Sequence, residues 1–240
     1  MMSRGFCNVS VAPVRADHSD RAEMITQVLY GEGVDIIEVR NNWTLIKLHY
    51  DGYEGWVDTK QVTALSEEAF SQRKLQLVTE CFKSYTTQDG EVLLSMGAEI
   101  PRDSVVEENS IFLRESIVER ALKFINVPYL WGGKSFFGID CSGFTQLVFK
   151  MNQIKLPRDA YQQAEIGEAL TFVVEAQAGD LAFFENDEGK IIHVGIMLDN
   201  HRIIHAHGKV RIDIVDSVGI FNKQQNKHTH KLRFIRNIID

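Results

Sequence analysis

The spacing of apolar and polar positions divides the chain into two parts. Up to about residue 63 the apolar residues come in short runs separated by turn formers. Ile36-Ile37-Glu38-Val39-Arg40 leads into Asn41-Asn42, then Trp43-Thr44-Leu45-Ile46-Lys47-Leu48; Asp51-Gly52 follows, and Tyr53-Glu54-Gly55-Trp56-Val57 closes the series. Runs of this length joined by such turns predict strands of a small barrel. Residues 74–106 repeat the style more weakly, with Asp89-Gly90 as a turn and Pro101 as a breaker. Between the two, Ser66-Glu67-Glu68-Ala69-Phe70 predicts a short linker helix with Ser66 as its cap.

From about Arg114 the period lengthens. Ile117, Ala121, Leu122 and Ile125 recur at helical spacing, and Pro128 is expected to end that helix. A Gly-rich turn, Trp131-Gly132-Gly133, leads to Asp140-Cys141, after which Phe144, Leu147, Val148 and Met151 again fall on one helical face. Beyond Gly179-Asp180 the chain reads as strands to its end. A helical half followed by a strand-rich half indicates an α+β fold. The expected domains are residues 1–64, residues 65–110 with the linker helix and a shorter β region, and residues 111–240.

Composition narrows the function classes. Of 240 residues, 44% are hydrophobic and 25% charged, as in ordinary globular proteins, and the formal charge is -7. No Lys/Arg run or basic stripe supports nucleic-acid binding, and the acidic balance weakens any case for an anionic membrane surface. Met1-Met2-Ser3-Arg4-Gly5-Phe6 lacks the apolar stretch of a secretory signal. No window of about eighteen apolar residues suggests a membrane span. Cys7, Cys81 and Cys141 are far apart and odd in number, which fits neither a disulfide framework nor a paired zinc motif. A cytoplasmic location is the expectation, or an extracytoplasmic one if a leader has been removed.

Two features carry candidate chemistry. Asp140 stands where an N-cap would, which places Cys141 in the first helical turn. Backbone N–H groups and the helix dipole there favour a thiolate, and Gly143 keeps the approach open. A small buried hydrophobe is the bland alternative for the same cysteine. Downstream, Ile192, Val194, Ile196 and Leu198 share one face of an alternating strand, and His193 shares the other with Gly195. Ile203, His205 and His207 share a face of the next strand, with Asp199-Asn200 signalling a hairpin between them.

Register then decides whether the histidines meet. A two-residue loop puts His193 and His205 on opposite faces; a three- or five-residue loop puts them on the same face, with Cβ atoms about 5–8 Å apart. A catalytic base needs a partner on its second ring nitrogen, so the odd-length register is expected. A metal site from His193, His205, His207 and Cys141 is the rival reading, although only His205-Ala206-His207 has close ligand spacing.

Five segments taken together resemble the motif series of the NlpC-type cell-wall cysteine peptidases, in the same order. They are Tyr129-Leu130-Trp131-Gly132-Gly133, Gly138-Ile139-Asp140-Cys141-Ser142-Gly143-Phe144, Gly179-Asp180-Leu181, His193-Val194-Gly195-Ile196 and Ile203-Ile204-His205-Ala206. The resemblance spans roughly residues 115–237. It implies a papain-like domain with a Cys141, His193, His205 triad and no cofactor. The upstream region resembles bacterial SH3-like barrels, the second one shortened. Tyr53-Glu54-Gly55-Trp56 and Arg15 through Gly33 are similar to a subgroup of γ-D-glutamyl-L-diamino acid endopeptidases that act on murein peptides with a free N-terminal L-Ala.

That similarity implies substrate binding by Tyr53, Asp159, Glu23, Trp131 and Ser142, with Ala160 standing where some members carry Ser. An ammonium in a closed pocket needs carboxylates nearby, which Glu23 and Asp159 are expected to supply. The implied partner is a murein peptide, with no nucleic acid and no membrane; oligomeric state is left open. Two other readings use the same residues: an amidase or acyltransferase with the same triad, and a wall-binding protein with an idle peptidase domain. The intact cysteine and histidine set argues against the last.

Overall fold

The computed structural model describes residues 3–102 and 113–239. The chain falls into two compact units, Met1–Glu108 with Trp131–Gly138 and Asn109–Leu130 with Ile139–Asp240. Segment 131–138 thus belongs with the N-terminal unit, although it was expected inside the domain from residue 111. The expected boundary at 110–111 lies outside the described residues, as does the end of the weaker β region past 102.

In the first unit, seven strands form one antiparallel sheet: β1 (Ser3–Cys7), β2 (Val11–Arg15), β3 (Met24–Leu29), β4 (Gly33–Arg40), β5 (Trp43–Leu48), β6 (Glu54–Asp58) and β7 (Val62–Leu65). Their order is β3-β2-β6-β5-β4-β1-β7. The sheet makes a small SH3-like barrel around Cys7, Val14, Val28, Val34, Ile46, Leu48 and Val57. Asn41 and Asn42 form the β4–β5 loop, and Asn41 takes φ 55°, a conformation asparagine tolerates. The unbroken Ile36-Ile37 pair is explained by a bulge: Ile36 pairs with Ile46 and Glu38 with Leu45, leaving Ile37 out of step at the surface. Cys7 is a core residue. Its thiol donates to the Val9 carbonyl at 3.3 Å, and burial pushes its pKa up to about 12.

Helix α1 (Glu67–Ser71) follows, with the Ser66 hydroxyl accepting from the Ala69 N–H at 3.1 Å. The next strands are β8 (Leu75–Leu77), β9 (Phe82–Thr87), β10 (Gly90–Ser95) and β11 (Glu99–Pro101). Among the described residues they pair as β9 with β10 and β8 with β11, two separate ribbons where a shortened barrel was expected. With strands of three to six residues, few apolar side chains point inward; Val78, Leu94, Met96 and Ile100 are buried.

The second unit opens with α2 (Leu113–Leu122). The helix stops short of the expected end near Pro128, because Asn126 turns left-handed (φ 70°) and its N–H bonds the Val210 carbonyl. Short strand β12 (Lys134–Ser135) lies in the first unit and β13 (Gly138–Ile139) spans the boundary; α3 (Cys141–Lys150) and α4 (Ala160–Gln163) follow in the second. The rest is β-rich: β14 (Glu168–Ala169), β15 (Leu181–Glu185), β16 (Ile191–Met197), β17 (Arg202–His207), β18 (Lys209–Val215), β19 (Gly219–Asn222) and β20 (Lys227–Asn237). They run β14-β20-β15-β16-β17-β18-β19, and β20 also pairs with β19, so six strands close on themselves. Phe184, Met197, Ile203, Val215 and Ile220 fill this sheet. Every residue of α3 is buried, which its one-sided apolar pattern did not announce; the Thr145 hydroxyl donates to Gln163 Oε1 at 2.6 Å and Gln146 Nε2 to the Leu156 carbonyl at 3.1 Å. Among the described residues no helix is long and apolar enough to cross a membrane.

Candidate active site

Cys141 is the first residue of α3, and Asp140 caps the helix by accepting from the Gly143 N–H at 2.7 Å. The cap is itself held by a buried arginine. Arg158 reaches Asp140 with two bonds, Nη2 to Oδ2 at 2.6 Å and Nη1 to Oδ1 at 3.0 Å, and donates to the Ser142 hydroxyl at 2.9 Å. The fork fits the carboxylate bidentately and so fixes the turn that carries the thiol. Ser142, expected to touch substrate, is buried with its hydroxyl committed to Arg158 and Asp140.

The thiol does not rest as the thiolate that a helix start alone would favour. Burial and then the Asp140 charge push the Cys141 pKa up to about 12, against smaller downward pulls from the backbone of Val194 and Ser142 and from Arg158. Desolvation, which disfavours any charge in this position, thus opposes the thiolate expected from the helix dipole. The Val194 contact places the sulfur beside β16, one residue from His193, and α3 packs against both β16 and β17.

The histidines meet in the odd-length register. Ile196 pairs with Ile204 and Met197 with Ile203, and the Leu198 N–H bonds the Arg202 carbonyl across Asp199-Asn200-His201. His193 and His205 then share a face, with His193 Nε2 and His205 Nδ1 2.8 Å apart. His205 Nε2 lies 3.0 Å from Asp213 Oδ2, and Arg211 bonds the same carboxylate from Nη2 at 2.9 Å.

This chain of contacts determines the tautomers. An ionised carboxylate only accepts, so His205 carries its proton on Nε2 and presents Nδ1 as an acceptor. His193 must then donate from Nε2, which leaves its Nδ1 as a lone pair. Burial opposes the Asp213 charge, but the bonds from His205 and Arg211 outweigh it and hold its pKa below the usual carboxylate range. Burial lowers both histidines: His193 goes well below its usual value, with the charges of His205, His230 and His207 adding to the effect, whereas at His205 the bond and charge of Asp213 oppose it. Both directions favour a neutral thiol and a neutral imidazole.

Two neighbours of this site, Asp213 and His230, went unnoticed in the sequence, and a third, Tyr129, was noted there only as part of a motif. Asp213 was findable: Gly208 is a one-residue turn, His205 pairs with Arg211, and Asp213 follows two positions on along the same face. His230 stacks on His193 with ring centroids 4.3 Å apart at 28°. It comes from β20, whose bulged pairing with β19 no local pattern reveals. Tyr129 has its pKa raised to about 12 by burial and by the charges of Cys141 and Asp140, so its hydroxyl stays protonated near the thiol.

The expected substrate binders are divided between the two units. In the first, the half-exposed loop before β6 carries Tyr53, and the Trp131 indole N–H donates to Glu23 Oε1 at 2.7 Å. Gly132 permits this approach: it has φ 73°, and a Cβ there would lie 2.4 Å from the Met24 carbonyl oxygen. Lys134 anchors the same segment, its Nζ 3.1–3.2 Å from both oxygens of buried Glu32. In the second unit Asp159 begins α4, its N–H donating to Gln162 Oε1 at 3.3 Å. Among the described residues no group of three or more His, Cys, Asp or Glu side chains is arranged to hold a metal.

Comparison with known proteins agrees with this layout. Residues 126–231 match the NlpC/P60 family and residues 14–62 match the bacterial dipeptidyl-peptidase Sh3 domain. The chain is 29% identical over 215 residues to gamma-D-glutamyl-L-lysine dipeptidyl-peptidase of Bacillus subtilis (strain 168), covering 75% of this chain and 71% of that one. It is 26% identical over 238 residues to dipeptidyl-peptidase 6 of Lysinibacillus sphaericus, covering 82% and 84%. A crystal structure of an NlpC/P60 family protein from Bacillus cereus ATCC 10987 shares the fold, with a TM-score of 0.80 at 21% identity over 99% of this chain and 100% of that one. Residues 126–231 thus form an NlpC/P60-family cysteine-peptidase domain of papain-like fold, and an SH3-like barrel precedes it.

Proposed function

We propose that this protein hydrolyses the γ-D-Glu–L-diamino acid bond of murein peptides that begin with a free L-Ala, using Cys141 as nucleophile, His193 as base and His205 as its orienting partner. Membership of the family makes it a cysteine hydrolase active on peptidoglycan peptides; the bond and the free amine are our reading. The observation that carries it is the relay from Asp213 through His205 to His193, which leaves one imidazole lone pair on the strand whose Val194 backbone meets the thiol.

The neutral pair sets the order of events. As the sulfur attacks the Glu γ-carbonyl carbon, the thiol proton passes to His193 Nδ1, and the imidazolium is stabilised through His205 by Asp213. The oxyanion is met by the Cys141 N–H, which at the first helical position has no acceptor within the helix. Collapse of the intermediate breaks the C–N bond, and His193 returns the proton to the leaving amine. Water, deprotonated by His193, then cleaves the thioester and restores the thiol.

Glu23, Tyr53, Asp159 and Trp131 are proposed to hold the N-terminal L-Ala. The Glu23 partner seen here, an indole N–H, is neutral, so the carboxylate keeps a full charge for an ammonium. The test compares L-Ala-γ-D-Glu-diaminopimelate with its N-acetylated form by mass spectrometry. Acetylation removes the ammonium; with Glu23 exposed and Asp159 half-buried, each lost pairing is worth up to about 1 kcal/mol, a combined loss of about tenfold in rate at about 1.4 kcal/mol per decade. Such selectivity suits recycling of peptides already freed from the wall, in the cytoplasm. Equal cleavage of the two peptides overturns the free-amine reading.

A further inference from the structure

Beyond His193 lies a cavity of about 360 Å³ whose walls include Tyr129, Ile192, His193, His207 and His230. It is large enough for part of a ligand, and no Asp or Glu lines it. The relay uses neither His207 nor His230. His207 is exposed, 4.8 Å from the His230 ring and 6.5 Å from the His193 ring, centroid to centroid. His230 Nδ1 is engaged by the Thr229 hydroxyl at 2.9 Å, which leaves Nε2 as its second polar atom.

The position of this cavity follows from the chemistry of its shared wall. A general acid must lie within about 3 Å of the atom it protonates, so the leaving amine sits against His193 and the released residue extends into the space His193 borders. Each neutral imidazole can offer one N–H to an anion, and with no carboxylate in the lining the cavity holds no countercharge for an ammonium. On the released residue, the α-carboxylate is two bonds from the amine, with its oxygens about 3 Å from that nitrogen. Any side-chain carboxylate lies several carbons farther away. The spacing of His230 and His207 from His193 matches the nearer group.

On the reading given under Proposed function, we propose that this histidine-walled cavity receives the free α-carboxylate of the released diamino acid. Peptides that end at the diamino acid are then preferred over peptides that continue through it. A carboxypeptidase-class reaction must therefore act first on longer peptides, removing the residues that follow.

The experiment uses four substrates: L-Ala-γ-D-Glu-L-Lys and L-Ala-γ-D-Glu-diaminopimelate, each as the C-terminal acid and as the C-terminal α-amide. With wild-type enzyme, kcat/KM for each acid exceeds that of its amide by about tenfold or more, the worth of one charge-assisted hydrogen bond. In His207→Gln the acid-to-amide ratio falls to within about twofold of one, on the same scale. Equal cleavage of acid and amide by the wild type overturns this inference alone, as does an acid preference that His207→Gln leaves intact. A His207→Gln effect on the diaminopimelate-to-lysine ratio instead of the acid-to-amide ratio assigns the histidines to the side chain and overturns it too. Failure to cleave any of the four overturns the substrate reading, and this inference with it.

Discussion

A side chain at Gly195 would run into His205: a Cβ built there lies 2.8 Å from the His205 Cβ and 2.7 Å from Cδ1 of Ile203. Continuing the β16–β17 register puts the two residues opposite one another. His205 is fully buried, so the neighbour cannot swing out of the way. Gly195→Ala should therefore shift His205 and stretch its 2.8 Å contact with His193. Overpacking of this kind costs about 1–3 kcal/mol, visible as a lower Tm. The larger effect is expected in kcat, down about tenfold or more, since a misplaced base loses its tautomer control. Full activity in Gly195→Ala would contradict the importance assigned to this contact.

Asp213 fixes the tautomer of His205 and, through it, that of His193. Asp213→Asn keeps the shape but allows an amide N–H to face His205 Nε2, which would reverse both donor assignments. Its kcat should fall by about two decades or more, in the manner of the equivalent change in other triads. KM should move little, because two residues, His205 and His193, stand between it and the thiol. A kcat within about threefold of wild type would show that His205 needs no anionic partner.

Much of this site could be read from local spacing, and the parts that could not are long-range. Asp140 as cap and Cys141 as first helical residue follow from one turn of sequence, and Asp199-Asn200 announced the hairpin that unites the histidines. The barrel strands were legible for the same reason, since Asn41-Asn42 and Asp51-Gly52 mark their turns. His230 is brought to His193 by a strand that pairs with β15 and β19, contacts no periodicity encodes. The opposing pulls on Cys141 were only half visible: a helix dipole can be read in sequence, whereas burial and an adjacent Asp140 charge are properties of the packed site. The second β region was overread because alternation predicts strands without saying how many close into one sheet.

A neutral thiol and a neutral imidazole make a pH signature. With the Cys141 pKa raised to about 12, the thiolate fraction increases tenfold per unit through the neutral range. Iodoacetamide labelling of Cys141 should climb steadily from pH 6 to about 10 with no plateau, followed by peptide mass spectrometry to separate it from Cys81. A resting ion pair would instead give a flat rate across that range. The His193 pKa lies well below 6.5, so the base stays unprotonated below that pH. The acid limb of kcat/KM should accordingly fall below pH 6.5, the ordinary histidine value. A limb above it would mean that His193 is stabilised as a cation.

Lys134 and Glu32 test what anchors the segment carrying Trp131. Lys134 is 1% exposed, its Nζ touches both Glu32 oxygens, and its backbone N–H donates to Gln27 Oε1 at 2.8 Å. Glu32 also accepts from the Leu29 N–H at 2.8 Å, so its carboxylate is built into the barrel. Lys134→Met removes the buried cation and leaves that charge without it, a cost of about 3–5 kcal/mol in urea unfolding. Adding Glu32→Gln should restore most of the loss, because the amide oxygen still serves Leu29 and carries no charge. The segment also presents Trp131, 63% exposed, to Glu23. Loosening it in the single variant should therefore raise KM for the L-Ala peptide more than it lowers kcat. If Lys134→Met alone is as stable as the double variant, the pair contributes nothing net and Gln27 suffices as the anchor.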